Sequence, residues 1–364
     1  MTDLEKARLR INEIDKEMAD LFVRRMEAVK KVAEYKKLHG IQVADSVREA
    51  ENMERNSRLI EDEDLKPYYV NFLQSNMEIS KNYQHRLLEG MRVAFSGVEG
   101  AFANIAAKKI FPDAISVPYS DFKSAYDSVV NGECDCAVLP IENSFNGDVG
   151  QVMDLAFFGS LYINGIFDIG IVHNLLANEG ASIDSIKTVI SHSQALGQCA
   201  SFIKKRGFVA EEAVNTAVAA KTVAESGRTD IAAIASDTAA KQYSLKILES
   251  HINESNSNTT RFAVFSRTAK TASKDDNHFI MLFTVTNEAG SLGKAVSIIG
   301  DNGFNLKALK SRPTKELVWN YYFFAEGEGN INSEQGKKML NDLKSKCSGI
   351  KVIGCFEKEI YLND

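Results

Sequence analysis

Apolar residues recur every three or four positions at the start of the chain, as they do on one face of an α-helix. They are Leu4, Ala7, Ile11, Ile14, Met18 and Leu21. The next position of this stripe holds Arg25, a guanidinium where an apolar side chain is expected. The pattern predicts one helix over residues 2–38, ended by His39 and Gly40.

Two further helices are predicted before residue 89. One covers residues 45–60, with Asp45 as its N-cap, and the other covers residues 68–88, after Pro67. The first helix would span ~50 Å, which is too long to fold back on two short partners. We therefore expect an all-α subunit of three helices that interleaves with a second copy in an obligate dimer.

The period changes at Gly90, where short apolar runs begin to alternate with helical patterns. Strands are predicted at residues 91–95, 136–140, 167–172, 188–191, 230–235 and 262–265, and helices at residues 121–131 and 193–206. This alternation is typical of an open α/β sheet, in one lobe or in two.

The polar run at residues 268–277 predicts a linker to a last domain. Beyond it the pattern predicts strands at 279–286, 305–311, 317–325 and 350–361, with helices at 291–302 and 333–346. This is the βαββαβ order of ferredoxin-like domains. The predicted domains are therefore residues 1–89, 91–268 and 277–364.

Composition limits the partners of this multidomain chain. Its 364 residues are 44% hydrophobic and 25% charged, and the net charge of -6 gives no reason to expect nucleic acid or an acidic membrane. No apolar run reaches the ~18 residues needed to cross a bilayer, and the charged start M-T-D-L-E-K is not a signal peptide. Five scattered cysteines indicate reduced thiols in a cytoplasmic protein, with no metal and no cofactor expected.

Arg25 belongs to a group of polar residues on inward-facing positions of the three helices. The group consists of Arg8, Arg25, Lys36, Asp45, Arg48, Glu49, Ser80 and Gln84. A single such arginine is more often a surface charge at the edge of the stripe. Several inward cations would each cost several kcal/mol unless an anion neutralises them. The group therefore predicts a site for a small dianion.

The pattern of residues 4–86 resembles the all-helical chorismate mutase family, whose reaction is an intramolecular Claisen rearrangement without acid, base or covalent step. The resemblance implies that Arg25, and Arg8 from the other subunit, bind the two carboxylates, with Arg48 nearby. It implies that Lys36 and Gln84 donate hydrogen bonds to the ether oxygen. It also implies that Asp45 and Glu49 position the ring hydroxyl, with Ser80 as a further contact.

Four patches at strand ends mark the middle domain. They are P-I-E-N-S at 140–144 with Gly147, S-H-S-Q at 191–194, N-T-A at 215–217, and T-R-F at 260–262. Singly they are unremarkable, since a lone His192 is more often structural than catalytic. In this order they resemble prephenate dehydratase over residues 91–267, a family with two α/β lobes like those of periplasmic binding proteins.

The dehydratase reaction expels the ring hydroxyl together with CO2, and cations should not over-stabilise the departing carboxylate. By resemblance Thr260 assists the departing hydroxyl. The resemblance also implies substrate contacts from Asn143, Ser144, Ser191, Gln194 and Thr216. Arg261 either anchors a carboxylate or pairs with Glu142, and His192 has no clear role.

The last domain resembles the ACT domain, which binds amino acids at a dimer interface. The residues that match the phenylalanine-sensing motifs are Gly290, Ser291, Leu292, Lys310, Ser311, Arg312 and Pro313. This chain departs from the family at Lys310, where glutamate is usual, and at Gly293, where a bulkier residue is usual. A domain that only dimerises is the alternative.

Together these resemblances imply a bifunctional enzyme of phenylalanine biosynthesis. It would convert chorismate to prephenate and then prephenate to phenylpyruvate, with feedback inhibition by phenylalanine, in a homodimer or a higher homo-oligomer. Two alternatives stay open. The same architecture could prefer arogenate, or the chain could be an amino-acid sensor that binds without turnover.

Overall fold

The computed structural model describes residues 1–255, 258–314 and 321–362. It divides the chain into two compact units, Met1–Met91 and Arg92–Asp364. Part of the strand predicted at 317–325 lies outside the described residues. Within the described residues, no helix has the length and apolar character that a membrane span requires.

The first unit consists of three helices, α1 (Asp3–His39), α2 (Ser46–Ser57) and α3 (Lys66–Glu89). Thr2 and Glu5 form a capping box at the start of α1, and Gly40 ends that helix with a φ of 65°. Asp45 accepts a hydrogen bond from the Arg48 N–H (3.0 Å) at the start of α2, which confirms its predicted role as N-cap.

The apolar stripe of α1 is not covered by the chain's own helices. Leu4 and Leu21 are 60% and 57% exposed, and among the described residues of α1 only Ala33 is buried. Leaving so much apolar surface in water is unfavourable at roughly 25 cal/mol per Å². The predicted interleaved dimer would cover this surface, and it stays a prediction.

The second unit is built from strands and helices in alternation. Its strands are β1 (Arg92–Ser96), β2 (Ile115–Tyr119), β3 (Cys136–Asn143), β4 (Gly147–Asp148), β5 (Tyr162–Gly170), β6 (Asn174–Ala177), β7 (Thr188–Ser191), β8 (Val209–Glu212), β9 (Ile231–Ala235), β10 (Lys246–Glu249), β11 (Thr259–Ser266), β12 (His278–Val285), β13 (Asn305–Pro313), β14 (Tyr321–Glu328), β15 (Cys347–Phe356) and β16 (Ile360–Leu362). Its helices are α4 (Phe102–Ile110), α5 (Phe122–Val130), α6 (Gly150–Phe158), α7 (Ser193–Gln198), α8 (Ala200–Arg206), α9 (Thr216–Ser226), α10 (Asp237–Gln242), α11 (Ser291–Asp301) and α12 (Glu334–Lys344).

These strands form two sheets, and so two lobes. The larger sheet has the order β13-β14-β12-β15-β5-β11-β3-β1-β2, and the smaller has the order β10-β6-β9-β7-β8. The chain passes between them twice, from β5 to β6 and from β10 to β11. These crossings are hydrogen-bonded to each other, since Ile171 N–H donates to Asn258 O (2.8 Å) and Ile252 N–H donates to His173 O (2.9 Å).

Two predicted elements differ from the structure. The helix predicted at 193–206 is two helices, because the backbone of Cys199 (φ -116°, ψ 16°) leaves helical geometry. The last strand, predicted at 350–361, is split into β15 and β16, and β16 pairs with β5. The linker predicted at 268–277 is irregular, although Asp276 within it is buried.

The C-terminal segment runs β12-α11-β13-β14-α12-β15, the predicted order, and its sheet is continuous with the larger lobe. Successive side chains of β12 point to opposite faces of the sheet and pack in two different cores. Phe279 and Met281 pack in the cluster that includes Ala295 of α11, whereas Ile280 and Leu282 pack in the core of the larger lobe. The segment therefore shares its core with the lobe.

A buried charge cluster also joins this segment to the lobe. The Arg261 guanidinium on β11 lies 2.5 Å from Glu326 and 3.1 Å from Glu142, and it also contacts Glu359. Burial alone would raise the pKa of Glu326, but hydrogen bonds from His278 and Arg261 outweigh it and hold that pKa below its ordinary value. The carboxylate is therefore charged in the folded protein and stabilises it.

We predict that Glu326→Ala lowers the free energy of unfolding by about 3 kcal/mol, because it leaves the Arg261 charge under-compensated. Denaturant titration at pH 7 measures this loss. Glu328→Ala, an exposed position on the same strand, should change stability by less than about 0.5 kcal/mol.

The pH dependence has a definite sign. Because the folded pKa of Glu326 is depressed, its stabilisation is complete above the ordinary value of 4.5 and is lost as pH falls below it. The stability difference between the wild type and Glu326→Ala should therefore shrink as pH falls from 5 toward 3. A constant difference would contradict the ionised state assigned to Glu326.

Candidate active sites

A cavity of about 500 Å³ lies between the three helices of the first unit. Seven of the eight predicted residues line it, namely Arg25, Lys36, Asp45, Arg48, Glu49, Ser80 and Gln84. Arg8, which was predicted to come from the other subunit, is exposed on α1 and does not line this cavity. The predicted residues other than Arg8 therefore share one cavity, and this cavity within one chain does not include the Arg8 guanidinium.

Hydrogen bonds hold the cationic side chains around this cavity. Arg25 Nη1 donates to Ser80 Oγ (2.5 Å), and the Ser80 hydroxyl donates to Asn76 O (2.6 Å). Lys36 Nζ donates one of its three protons to Val43 O (2.7 Å), and the other two can bind a ligand. Burial lowers the pKa of Arg25, as expected for a cation that has lost water.

The cavity is strongly cationic. Its lining includes five cations and two carboxylates, although the whole chain has a net charge of -6. Lys31 and Lys81 were not predicted, and Lys81 is engaged by Glu49 (3.1 Å) and Glu78 (2.6 Å). Gln84 Nε2 donates to Ser80 O (3.3 Å) and has a second proton to offer a ligand, while Gln84 Oε1 is buried without a hydrogen-bond partner among the described residues.

The second unit contains a cleft of about 670 Å³ lined by residues of both lobes. Five helices begin at this cleft. Their N-terminal residues there are Ala101–Ala103 for α4, Ser120–Phe122 for α5, Val149–Gln151 for α6, His192 with Gln194 and Ala195 for α7, and Val214–Thr216 for α9. Helix N-termini present free N–H groups and a partial positive charge, so this arrangement favours an anionic ligand.

Helices α4 and α6 are the most open of the five. No side chain caps either of them, whereas α5 and α9 are capped by Asp121 and Asn215. Among the described residues that line the cleft there is no lysine or arginine, and the carboxylates are Asp121 and Asp148. An anion would therefore be bound by backbone N–H groups, amides and hydroxyls.

A chain of side-chain amides fixes the hydroxyl of Thr260 in this cleft. Asn143 Oδ1 accepts from the backbone N–H groups of Phe145 (3.0 Å) and Asn146 (3.0 Å), which can only donate. Asn143 Nδ2 therefore faces Thr260 Oγ1 (2.9 Å) and Asn258 Oδ1 (2.9 Å) and donates to both. Because Thr260 Oγ1 accepts this bond, its own proton is available to the cleft.

The same logic continues to His173. Asn258 Nδ2 donates to Gln198 Oε1 (2.9 Å), so the His173 Nε2 that lies 2.7 Å from this oxygen must carry the proton. Burial lowers the pKa of His173, which keeps the ring neutral. Its Nδ1 is buried without a hydrogen-bond partner among the described residues. His173 thus anchors the far end of the chain that begins at Thr260.

Three members of this chain were missed in the sequence, although each has a local signal. Asn258 precedes Thr260 by two residues, and Gln198 follows Gln194 by four, the spacings of a shared face in a strand and in a helix. His173 follows directly on the strand predicted at 167–172. The hydrogen bonds of this chain join residues that are 25 to 117 positions apart in the sequence. Local sequence patterns do not predict such pairings.

The predicted dehydratase residues divide into two groups. Asn143, Gln194, Thr216 and Thr260 line the cleft, as does His192. Two others bond the backbone instead. Ser144 Oγ accepts from Thr259 N–H (3.0 Å), and the fully buried Ser191 donates to Ile234 O (2.6 Å). Ser144 and Ser191 therefore support the strands beside the cleft.

Arg261 faces the opposite side of the sheet from the cleft. Its neighbours Thr260 and Phe262 both line the cleft, and successive side chains of a strand point to opposite faces. Its guanidinium is in the carboxylate cluster with Glu142 and Glu326. Of the two roles open from the sequence, pairing with Glu142 is the one the structure places there, and the predicted substrate contact is corrected.

The predicted effector residues lie on two elements. Gly290 adopts a left-handed conformation (φ 83°) and caps α11, while the Ser291 hydroxyl bonds to that of Thr286 (3.0 Å) and Leu292 packs against the C-terminal core. The others lie on β13. Ser311 and Pro313 are exposed there, whereas Lys310 and Arg312 are half-buried and form ion pairs with the lobe.

Models of two known families match the two parts of the chain that contain the cavities. A family model for chorismate mutase type II matches residues 7–85, and one for prephenate dehydratase matches residues 93–270. Each covers one of the two cavities.

Relatives combine both families in one chain. A bifunctional chorismate mutase/prephenate dehydratase of Buchnera aphidicola subsp. Acyrthosiphon pisum is 32% identical over 96% of this chain and 95% of its own. The bifunctional protein of Aquifex aeolicus is 30% identical over 99% of both chains. The chloroplastic arogenate dehydratase/prephenate dehydratase 2 of Arabidopsis thaliana is 33% identical over 73% of this chain and 72% of its own.

Two solved structures share the fold of the second unit. The prephenate dehydratase of Arthrobacter aurescens, solved in complex with L-Phe, superposes with a TM-score of 0.69 at 24% identity and covers 74% of this chain and 90% of its own. GqqA, described as a novel type of quorum quenching acylase, has a TM-score of 0.68 at 27% identity over 75% of this chain and 98% of its own.

Proposed function

The chain belongs to the family of bifunctional chorismate mutase/prephenate dehydratases, and from this premise we propose that its two cavities catalyse successive steps of phenylalanine biosynthesis. The helical cavity converts chorismate to prephenate, and the two-lobed cleft converts prephenate to phenylpyruvate. The observation that carries this proposal is the contrast between the cavities. One is lined by cations, and the other has no lysine or arginine among its described lining residues.

The helical cavity suits a rearrangement of a dianion. Chorismate keeps both carboxylates throughout, so cations can bind them equally before and during the reaction. Arg25 and Arg48 bind these carboxylates, and Arg8 of a second copy completes the set. Lys36 and Gln84 stabilise the negative charge that develops on the ether oxygen as its bond breaks. Asp45 and Glu49 position the ring hydroxyl, with Ser80 holding Arg25 in place.

The cleft suits a reaction in which one carboxylate is lost. The carbon–carboxylate bond of prephenate breaks to release CO2, its electron pair enters the ring, and the ring hydroxyl departs with a proton as water. A lysine or arginine on that carboxylate would stabilise the substrate more than the transition state. Helix N-termini bind the anion more weakly, because each carries only about half a positive charge.

Thr260 assists the departure of the hydroxyl. Because its oxygen accepts a hydrogen bond from Asn143 Nδ2, its own proton is directed to the leaving oxygen. A threonine hydroxyl is too weak an acid to supply this proton itself, so it donates a hydrogen bond to the leaving oxygen or relays a proton from water to it. Gln194 and Thr216 contact the substrate from the other lobe.

Phenylalanine regulates the enzyme through the C-terminal segment, which is an ACT domain in this proposal. The left-handed Gly290 at the start of α11 and the outward-facing Ser311 and Pro313 support an effector site there. Strand β13 lies at the edge of the larger sheet, open to pairing with a second copy. A homodimer or higher homo-oligomer and a cytoplasmic location remain predictions of the sequence.

Two other functions are less well supported. Arogenate carries an ammonium where prephenate carries a keto group, and an ammonium in the cleft would need a carboxylate partner. The two carboxylates among the described lining residues already have partners. Asp148 pairs with Lys310, and Asp121 accepts from Ser124 N–H (2.8 Å). A sensor without turnover would need neither the Thr260 arrangement nor the cationic helical cavity.

Paired variants test the two activities separately. Arg25→Ala should lower the mutase rate about 100-fold or more and leave the dehydratase rate unchanged, because it removes a cation from one cavity only. Thr260→Val should do the reverse, while Thr260→Ser retains most dehydratase activity. Steady-state assays with chorismate and with prephenate measure both rates. A Thr260→Val enzyme with the wild-type dehydratase rate would exclude this role for Thr260.

The direction of the amide chain gives a second prediction. In Asn143→Asp, the carboxylate can still accept from the backbone but can no longer donate to Thr260, so it draws the threonine proton away from the substrate. The dehydratase kcat should fall about 100-fold, as after loss of an oriented donor. The same substitution at Asn131, which is exposed and does not line the cleft, should have little effect. Near-wild-type activity in Asn143→Asp would contradict the assigned direction.

A further inference from the structure

Strand β13 presents two cations to the larger lobe. Exposure alternates along this strand, so that Lys310 and Arg312 face inward while Ser311 and Pro313 face outward. Successive side chains of a strand cannot share a face, so the four residues of this motif cannot all bind one ligand on the outer side. The two inward cations need another explanation.

Lys310 contacts the two ends of a turn that lines the substrate cleft. Its Nζ lies 2.5 Å from Asp148 Oδ1 and 3.0 Å from Glu142 Oε2. Between these carboxylates lies Asn143, whose amide sets the direction of the Thr260 hydroxyl. The lysine, which is 17% exposed, thus fixes both ends of the segment that carries this amide.

Arg312 holds the helix that follows this turn. Its Nε and Nη2 lie 2.8 Å and 3.1 Å from the two oxygens of Asp154, a bidentate pair on the first turns of α6. Tyr322 on β14 donates to the same carboxylate (2.9 Å). Gly150, the first residue of α6, lies directly against the guanidinium. The contact is so close that a Cβ at this position would clash with Arg312.

The other end of α6 is held by the same segment. Lys351 on β15 donates to the carbonyl oxygens of Ala156 (3.1 Å) and Gly159, the acceptors that a helix C-terminus leaves open. Both ends of α6 are therefore fixed by cations of the C-terminal segment, while Gly150 and Gln151 at its start line the cleft.

Resting on the proposed function, we propose that Lys310 and Arg312 are positioning residues of the dehydratase cleft. Lys310 holds the turn that carries Asn143, and Arg312 holds α6, whose uncapped N-terminus binds a carboxylate of the substrate. This assignment replaces effector binding, the role predicted for both from the sequence. It also gives a reason for a lysine at position 310, since a glutamate there would repel Glu142 and Asp148.

Kinetics of the full chain with prephenate test this proposal through the separation of kcat from KM. Lys310→Gln should lower kcat about tenfold with little change in KM, because it loosens the turn of Asn143. Arg312→Gln should raise KM about tenfold, because it releases the start of α6. Lys307→Gln is the matched control, since Lys307 lies on the same strand but pairs with Glu359 (3.0 Å). It should change neither parameter more than about twofold.

The mutase rate of each variant and its near-ultraviolet circular dichroism report whether the chain is folded. If Arg312→Gln fails to fold, Asp154→Asn removes the same ion pair from the other side and should show the same rise in KM. Wild-type kcat and KM in the Lys310 and Arg312 variants would overturn the proposal. So would equal losses in the Lys307 control.

Titration with phenylalanine separates this role from effector binding. The Lys310 and Arg312 variants should still bind phenylalanine in calorimetry, whereas lost binding with wild-type uninhibited kinetics would make them effector ligands and overturn the proposal. A wild-type chain that converts chorismate but not prephenate would instead refute the proposed function itself. The two failures are thus distinguishable.

Discussion

Binding a small dianion is the constraint on which both cavities depend. Water solvates two carboxylates well, so a protein that removes them from water must supply positive charge or hydrogen-bond donors in return. In the proposed function the helical cavity does this with Arg25, Lys36 and Arg48, which line it and carry full charges. In the same proposal the two-lobed cleft does it with helix N-termini, of which those of α4 and α6 have no side-chain cap. Cationic side chains suit a substrate that keeps its carboxylates. Helix N-termini, which bind an anion more weakly, suit a substrate that must lose CO2.

Ion pairs also hold the C-terminal segment against the larger lobe. The described residues that line the cleft include no lysine or arginine, whereas Arg261, Lys310 and Arg312 lie behind its wall and pair with acidic residues of the lobe or of the segment. The Arg261–Glu326 pair is the most buried of these, and breaking it would leave an uncompensated charge, which ties the segment to the lobe. A signal that shifts strand β13 would therefore reach the turn of Asn143 and helix α6 directly.

Sequence patterns predicted what depends on local periodicity. The helical period placed Arg25 in a cavity, and the alternation of strands and helices located the residues that line the cleft. Motif membership alone leaves Arg261 with two roles, and the period of two of a strand, which puts it on the opposite face from Thr260, favours the pairing with Glu142. The pairing of Lys310 with Asp148 spans 162 positions, and no local pattern specifies contacts between residues so distant in sequence.

In the proposed function one chain catalyses both reactions, each in its own cavity. The most direct measurement supplies the purified protein with chorismate alone at neutral pH and follows prephenate and phenylpyruvate over time. Chorismate should disappear, prephenate should rise first, and phenylpyruvate should follow after a lag as the second cavity consumes the product of the first. Prephenate that accumulates in full without phenylpyruvate would contradict the account of the cleft, and unchanged chorismate would contradict the account of the helical cavity.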